Sequence, residues 1–329
     1  MLCVGDQRIS LDRRESGSTL DFVSHAHSDH IGAAKRSSNI IASMQTIDIL
    51  DVLGIHANHA SPHGGIELLP AGHILGSRQL YAHDGNSGFC YLYSGDFQMQ
   101  RSMAAESIVT KNADVLIIDS TYPSPAVSFG IKEEVITEIQ DWTEKALRKG
   151  SVLFSAYATG KAQELVAIMN DIGIVPVVTK KISAISSVYN RYNAGLTYVS
   201  AYDGEGYEEV LGGDFVGISE QRSISELGSK LEAVHHRRFY TAMVTGFASF
   251  MHFGTDAQFS LSDHADFAQS IDYINEVNPE FLLTYGQNAD RFAVNLNKFG
   301  YNARPFRNGA MPLPETIIAK GNKAKTYIY

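Results

Sequence analysis

Residues 24–32 read Ser-His-Ala-His-Ser-Asp-His-Ile-Gly, and the six positions from His25 to His30 hold three histidines and an aspartate. Burying that much imidazole without partners is costly, so the stretch raises the question of what these side chains hold. Imidazole nitrogen and carboxylate oxygen are the donors that zinc and similar borderline metals take. On an extended turn His25 and His27 face one ion, and Asp29 and His30, one step later, reach a second beside it. The bland reading, a polar loop or helix start in solvent, does not explain four ligand-type residues at H-x-H-x-D-H spacing.

A zinc site needs more donors than one loop provides, and they are expected downstream at strand ends. Two residues meet that need. His73 stands in PAGHILGS, where flanking glycines let backbone come close. Asp96 closes the apolar run of LYSGDF, where a carboxylate could bridge two ions about 3.5–4 Å apart. The remaining histidines read as surface residues. His56, His59 and His63 lie in a glycine- and proline-bearing loop, GIHANHASPHGG. His235 and His236 precede Arg237 and Arg238 in a solvated basic patch, and His83 and His252 read as polar surface positions.

The elements that must position these groups show as short apolar runs with turn signals. LDFVSH, GFCYLYSGD and ADVLIIDSTY read as strands. Residues 43–54 have a helical bias, and 131–149 carry the clearest apolar stripe, Ile131, Val135, Ile136, Ile139, Trp142 and Ala146, with Gly150 as the stop. A strand-helix unit follows in SVLFSAYATGKAQELVAIMNDIG, then the β-like IVPVVT; such alternation predicts α/β layering. Residues 181–235 are polar and irregular in pattern. After them come RFYTAMVTGF, a helix over 266–277 with Asp266 as N-cap and Gln269 three positions on, and the strand EFLLTYG.

Composition sets bounds. The chain has 329 residues, 44% hydrophobic and 19% charged, enough for one large domain or two medium ones with a packed core. No apolar run approaches the roughly 20 residues that span a bilayer, and MLCVGDQRIS lacks the layout of a signal peptide. The expectation is a cytoplasmic protein without membrane contact. Two cysteines, Cys3 and Cys90, with no CxxC pair, argue against a disulfide scaffold or a cysteine zinc site. A net charge of −9 does not favour broad, non-specific nucleic-acid binding, so a polyanion would need a local cationic groove or a metal centre.

In order and approximate spacing, HAHSDH, the Gly-His of His73 and the Ser-Gly-Asp of Asp96 resemble the metallo-β-lactamase superfamily. Three later strings resemble its β-CASP nucleases over nearly the whole chain. They are Asp119 in IIDSTYPSP, the helix string YATGKAQELVAIM, and His264 in FSLSDHADF. The resemblance implies an αββα sandwich with metals at one edge of its two sheets and an inserted α/β β-CASP domain. The sandwich is expected over 1–124 and 244–329, the insert over 125–243, with TAMVTGF returning the chain to the sandwich. The strings GKAQEL and LSDHADF look most like DNA-ligase-associated exonucleases and their archaeal mRNA 3′-end processing relatives. The RNA-binding modules and long C-terminal extension of many RNA-processing members are not expected here.

The implied activity is that of a metal-dependent phosphodiesterase, an exonuclease on single-stranded DNA. RNA-processing endo- or exonuclease action is the alternative, since phosphate chemistry does not read the 2′-hydroxyl. Zn²⁺, one ion or two, is the implied cofactor, and Mn²⁺ is compatible with activity. By the resemblance, His25, His27, His73 and Asp96 form site one, and Asp29 and His30 share Asp96 in site two. Asp29 is also the base at the attacking water, His264 the acid for the leaving oxygen, and Asp119 its orienting partner. Lys161, after Gly160 at a helix start, reads equally as a phosphate-binding cation or a solvent-facing lysine. One departure stands out. Where the processing nucleases carry a metal-binding histidine, LLTYGQN has Tyr285, and a phenol with a pKa near 10 is a poor zinc ligand. A weakened second site is therefore expected. A small thioester or lactam hydrolase and a catalytically inactive binding subunit, with DNA-repair or RNA-processing partners, are the readings from other classes.

Overall fold

The computed structural model of the protein describes residues 1–37, 39–62, 64–202 and 212–307. A three-stranded sheet is formed by β1 (Leu2–Val4), β2 (Gln7–Leu11) and β3 (Leu20–Phe22). A short pair, β4 (Asn39–Ile40) and β5 (Asn58–His59), flanks α1 (Met44–Val52). A six-stranded sheet comprises β6 (Ile66–Pro70), β7 (Arg78–His83), β8 (Cys90–Tyr93), β9 (Val115–Asp119), β16 (Phe281–Tyr285) and β17 (Ala303–Pro305). Its order is β17-β16-β9-β8-β7-β6; β6, β7 and β8 pair antiparallel and the rest parallel.

Alternation along β9 explains the layering, because neighbouring side chains leave a strand on opposite faces. Val115 and Ile117 join Leu80, Tyr91 and Tyr93 in packing on Leu2, Ile9, Leu11 and Phe22 of the three-stranded sheet. Leu116 and Ile118 face the other way, onto α6 (Phe267–Val277) and α7 (Ala289–Lys298), where Tyr273, Ile274, Phe292 and Leu296 are buried.

The second six-stranded sheet is parallel throughout. It contains β10 (Ser151–Ser155), β11 (Val177–Val178), β12 (Val199–Ser200), β13 (Val216–Ser219), β14 (Phe239–Val244) and β15 (Ala257–Phe259), in the order β12-β11-β13-β10-β14-β15. Val152 and Phe154 pack toward α2 (Lys132–Leu147), α3 (Lys161–Asp171) and α4 (Lys180–Arg191). Leu153, between them, packs with Phe239 and with Ile224 of α5 (Ile224–His235) on the opposite face. Helices on both faces of a parallel sheet make the mixed α/β class expected from the alternation of elements.

One expected boundary differs. TAMVTGF does not return the chain from the second unit at residue 243: β14 pairs in register with β10, and β15 pairs with β14. By sheet membership the chain leaves the second sheet only after Phe259. The physical reason is the apolar run itself: Phe239, Ala242 and Val244 are buried inside that sheet. Residues 203–211 and 308–329 of the expected second and third segments, and His63, lie outside the described residues. No helix among the described residues is long and apolar enough to cross a membrane.

Candidate metal centre

Parallel strands point their carboxyl ends the same way, and ligands collect where those ends meet. The loop after β3 carries His25, His27 and His30, the turn after β6 carries His73, the turn after β8 carries Asp96, and β9 ends on Asp119. The second sheet sends the segment after β10, with Thr159 and Lys161, and the segment after β15, with Asp263 and His264, to the same place. Of these, His27, His30, Asp96, Asp119, Lys161, Asp263 and His264 line a cleft of about 530 Å³. The glycine before His73 is required by this convergence. Gly72 has φ +78°, and a Cβ there would lie 2.2 Å from the Gln98 carbonyl oxygen.

The donor atoms of His25, His27, His73 and Asp96 all lie within 4.8 Å of one another. A second cluster of the same tightness joins Asp96 to Asp119 and His264. His30 is close, with Nε2 3.3 Å from Asp96 Oδ1. Asp29, expected as a ligand and base, stands at the rim: its side chain is 76% exposed and its carboxylate is 3.6 Å from His30 Nε2. Neither tight cluster includes Asp29 or His30.

Hydrogen-bond partners assign the imidazole tautomers, since a carbonyl can only accept. His73 Nδ1–H donates to the Asp263 carbonyl at 2.7 Å, and His27 Nε2–H donates to the Thr159 carbonyl at 3.1 Å. That leaves His27 Nδ1 and His73 Nε2 as two lone pairs facing each other 3.0 Å apart. His25 Nδ1 bonds Ser24 Oγ at 2.9 Å, and its buried Nε2 makes no hydrogen bond, like His264 Nδ1. Converging lone pairs and an orphaned buried nitrogen repel each other unless a cation lies between them. The residues present thus fit a divalent ion. Burial, helped by the other imidazoles, drives His25 and His73 well below the ordinary histidine value, and burial takes His27 to about 4, so these three rings stay neutral and able to ligate.

His30 behaves oppositely. Burial disfavours its charge, but Asp96 and Asp12 outweigh that and raise it to about 10. Asp96 is pushed up to about 7, by burial first and by Asp119 and Asp29 against the pull of His30 and His264.

Asp12 was missed in the sequence. It is 2% exposed, adopts φ +60°, and accepts from Ser24 N, Ser24 Oγ, His30 Nδ1 and the Tyr93 hydroxyl at 2.6–3.0 Å. It therefore orients His30 directly and His25 through Ser24, the arrangement by which outer carboxylates fix metal-binding histidines. Nothing in its local spacing marks it; a buried aspartate in left-handed backbone becomes visible only in three dimensions.

Asp119 Oδ1 is held by the Thr121 amide and hydroxyl, which leaves Oδ2 3.6 Å from His264 Nδ1. Burial lowers His264, yet Asp96 and Asp119 carry its pKa above the ordinary value. Lys161 is not the solvent-facing lysine of the second reading. It lines the cleft, its side chain is 3% exposed, and its ammonium sits 2.7 Å from Asp263 Oδ1. Tyr285 lines the cleft, and its hydroxyl donates to the Leu11 carbonyl at 3.0 Å. His56, His59, His83, His235, His236 and His252 are exposed, as expected of surface positions.

No family model matches the chain. Among curated proteins, it is 29% identical over 300 residues to a probable DNA ligase of Opitutus terrae, covering 86% of this chain and 28% of that one. It is 30% identical over 179 residues to the DNA cross-link repair protein SNM1 of Arabidopsis thaliana, covering 48% and 36%. To an RNase J-like protein of Methanocaldococcus jannaschii it is 30% identical over 188 residues, covering 46% and 43%. The matches thus span less than half the length of these relatives. Together with the HAHSDH, SGD and SDHAD motifs, they place the chain in the metallo-β-lactamase superfamily, among its β-CASP nucleases.

Proposed function

We propose that the protein is a metal-dependent nucleic-acid phosphodiesterase, acting as an exonuclease on single-stranded DNA. The observation that carries the reading is the set of convergent lone pairs of His25, His27 and His73 beside Asp96, at the meeting of both sheets' carboxyl ends. In this reading the three-stranded and first six-stranded sheets with their helices are the αββα sandwich, and residues 125–259 are the β-CASP insert.

His25, His27, His73 and Asp96 would hold one ion, Zn²⁺ by the chemistry of the donors. A second, Zn²⁺ or Mn²⁺, would be shared by Asp96 with His30 and Asp29 at the rim. When bound, such ions supply Lewis acidity toward a phosphate oxygen and lower the pKa of a water. The chain's own groups do the rest. His264, whose protonated form Asp96 and Asp119 favour, is the acid for the leaving oxygen, and Asp119 orients it through the oxygen that Thr121 leaves free. Asp29, exposed at the cleft mouth, is placed to accept a proton from the attacking water. The cleft is lined by Asp12, Asp29, Asp96, Asp119 and Asp263 against Arg13 and the paired Lys161. A polyanion is repelled by that lining unless divalent ions offset it.

The likeness to a probable DNA ligase, which covers most of the chain, favours DNA. The likeness to an RNase J-like protein keeps RNA as the second substrate. The test uses 3′-labelled single-stranded DNA and RNA of one sequence, with Zn²⁺, Mn²⁺ or a chelator, and Asp96→Ala as the blank. A metal-dependent ladder on DNA is expected. Cuts confined to the interior of RNA would move the protein to RNA processing. Absence of cleavage on both substrates with metal bound would overturn the nuclease reading.

A further inference from the structure

The two carbonyls that set the tautomers of His27 and His73 do not belong to the loops that carry those histidines. Thr159 lies two residues before Lys161, at the start of the first helix crossing the second sheet, and Asp263 lies just after that sheet's last strand. The two segments are tied together by Lys161 Nζ on Asp263 Oδ1 at 2.7 Å. Both side chains are nearly buried, at 3% and 10% exposure. At 2.7 Å, with both groups almost out of solvent, the contact has the geometry of a buried ion pair.

The intervening backbone is fitted closely. Gly160 has φ +87°, and a Cβ there would lie 2.3 Å from Ile74 Cγ2 and 3.2 Å from Asp263 Oδ2. The segment is thus pressed between the residue after His73 and the carboxylate that Lys161 grips. A second buried pair, Lys132 of α2 with Glu164 of α3 at 2.9 Å, lies one turn along from Lys161, and Glu164 also accepts from Ser102 and from Met103 N. Buried ion pairs add little net stability relative to apolar packing, and their best-attested use is to fix one register among several.

We infer that Lys161 is a positioning residue for the metal centre: its pair with Asp263 holds the Thr159 and Asp263 carbonyls where they select the tautomers of His27 and His73. This rests on reading the centre as a metal site. It makes metal affinity depend on docking of the second sheet, although none of the proposed ligands of site one comes from that sheet. Loss of a group that orients a metal-binding histidine typically weakens metal binding by 10–100-fold.

The test is a Zn²⁺ titration of the full chain against a chromophoric chelator, with the visible absorption of the Co²⁺-loaded protein as a signature of ligand geometry. Wild type should bind and Asp96→Ala should not, which checks the metal reading by itself. Lys161→Met and Asp263→Asn should each weaken Zn²⁺ by about 10–100-fold and alter the Co²⁺ spectrum. The double variant should be no weaker than the poorer single, since both act through one contact. Lys230→Met, which breaks an exposed pair with Glu226, should change neither readout. Where Lys161→Met does not fold, the double variant leaves no orphan charge and carries the same expectation. Wild-type affinity and an unchanged Co²⁺ spectrum in the folded variants would overturn the inference. Failure of wild type to bind would overturn the metal reading and the inference with it.

Discussion

At the scale of single residues, Asp12 and Tyr285 make opposite predictions. Asp12→Asn keeps a side chain that tolerates φ +60°, but it offers an amide to the donors of Ser24, His30 and Tyr93. Zn²⁺ affinity should fall by about 10–100-fold with the far-ultraviolet circular dichroism unchanged; an affinity equal to wild type would deny Asp12 its orienting role. Tyr285→Phe removes only the bond to the Leu11 carbonyl. It should cost about 1 kcal/mol in denaturant unfolding and leave bound metal the same, whereas a drop in metal content would make the phenol a ligand after all. The difference in legibility has a physical cause. His25, His27, His73 and Asp96 were readable because donor type and spacing are local properties. Asp12 was not, because its importance comes from backbone that folds thirteen positions back onto the histidine loop. The pairing of Lys161 with Asp263 was not legible either, because a sequence does not show which carboxylate will meet a lysine across a fold.

Whole elements were legible where a local signal agreed with the burial that followed. The helix over 131–149 emerges as Lys132–Leu147. The capping box at Asp266 is present, with Gln269 N on Asp266 Oδ1 at 2.9 Å and Asp266 N on Gln269 Oε1 at 3.3 Å. The irregular stretch 181–235 hides α4 and α5, because serines and lysines dilute the stripe that Ile182, Ile185, Val188 and Tyr189 make on one face of α4. Turns obey the same local logic, and the hairpin between β7 and β8 carries a test. Asp84 there accepts from Gly5 N, Asn86 N and Ser87 Oγ at 3.1, 3.0 and 2.6 Å. Burial would raise its pKa, but these bonds outweigh it and hold the folded value below the ordinary one. Its contribution is therefore complete above the unfolded carboxylate value of about 3.9 and disappears as pH falls through the lower folded value. Asp84→Asn should melt below wild type at pH 7, and the gap should close as pH falls below about 4. A gap constant down to pH 2 would show that the charge contributes nothing.

For the molecule as a whole, the question is whether the two large sheets melt together. Their cores are not separate. Val23, Ala26 and Ile31 around the histidine loop, and Ile47 and Leu50 of α1, belong to one buried cluster with Val152, Phe154, Leu165 and Ile185 of the second sheet and its helices. The Tyr189 hydroxyl on α4 accepts from Leu75 N, two residues past His73. The proposed ion would draw its ligands from loops on one side of this shared core and its tautomer-setting carbonyls from the other. An ion bound only by the folded state stabilises it by about 2.7 kcal/mol at a free concentration one hundred times its Kd, which for a chain of this size is several degrees of melting temperature. Calorimetry should therefore show one transition that moves down as a unit when a chelator is added and returns with Zn²⁺. Asp96→Ala should melt near the chelated wild type and ignore Zn²⁺. Two separable transitions, with Zn²⁺ shifting only one, would mean that the second sheet folds independently and that its contacts with His27 and His73 are too weak to couple it to the metal.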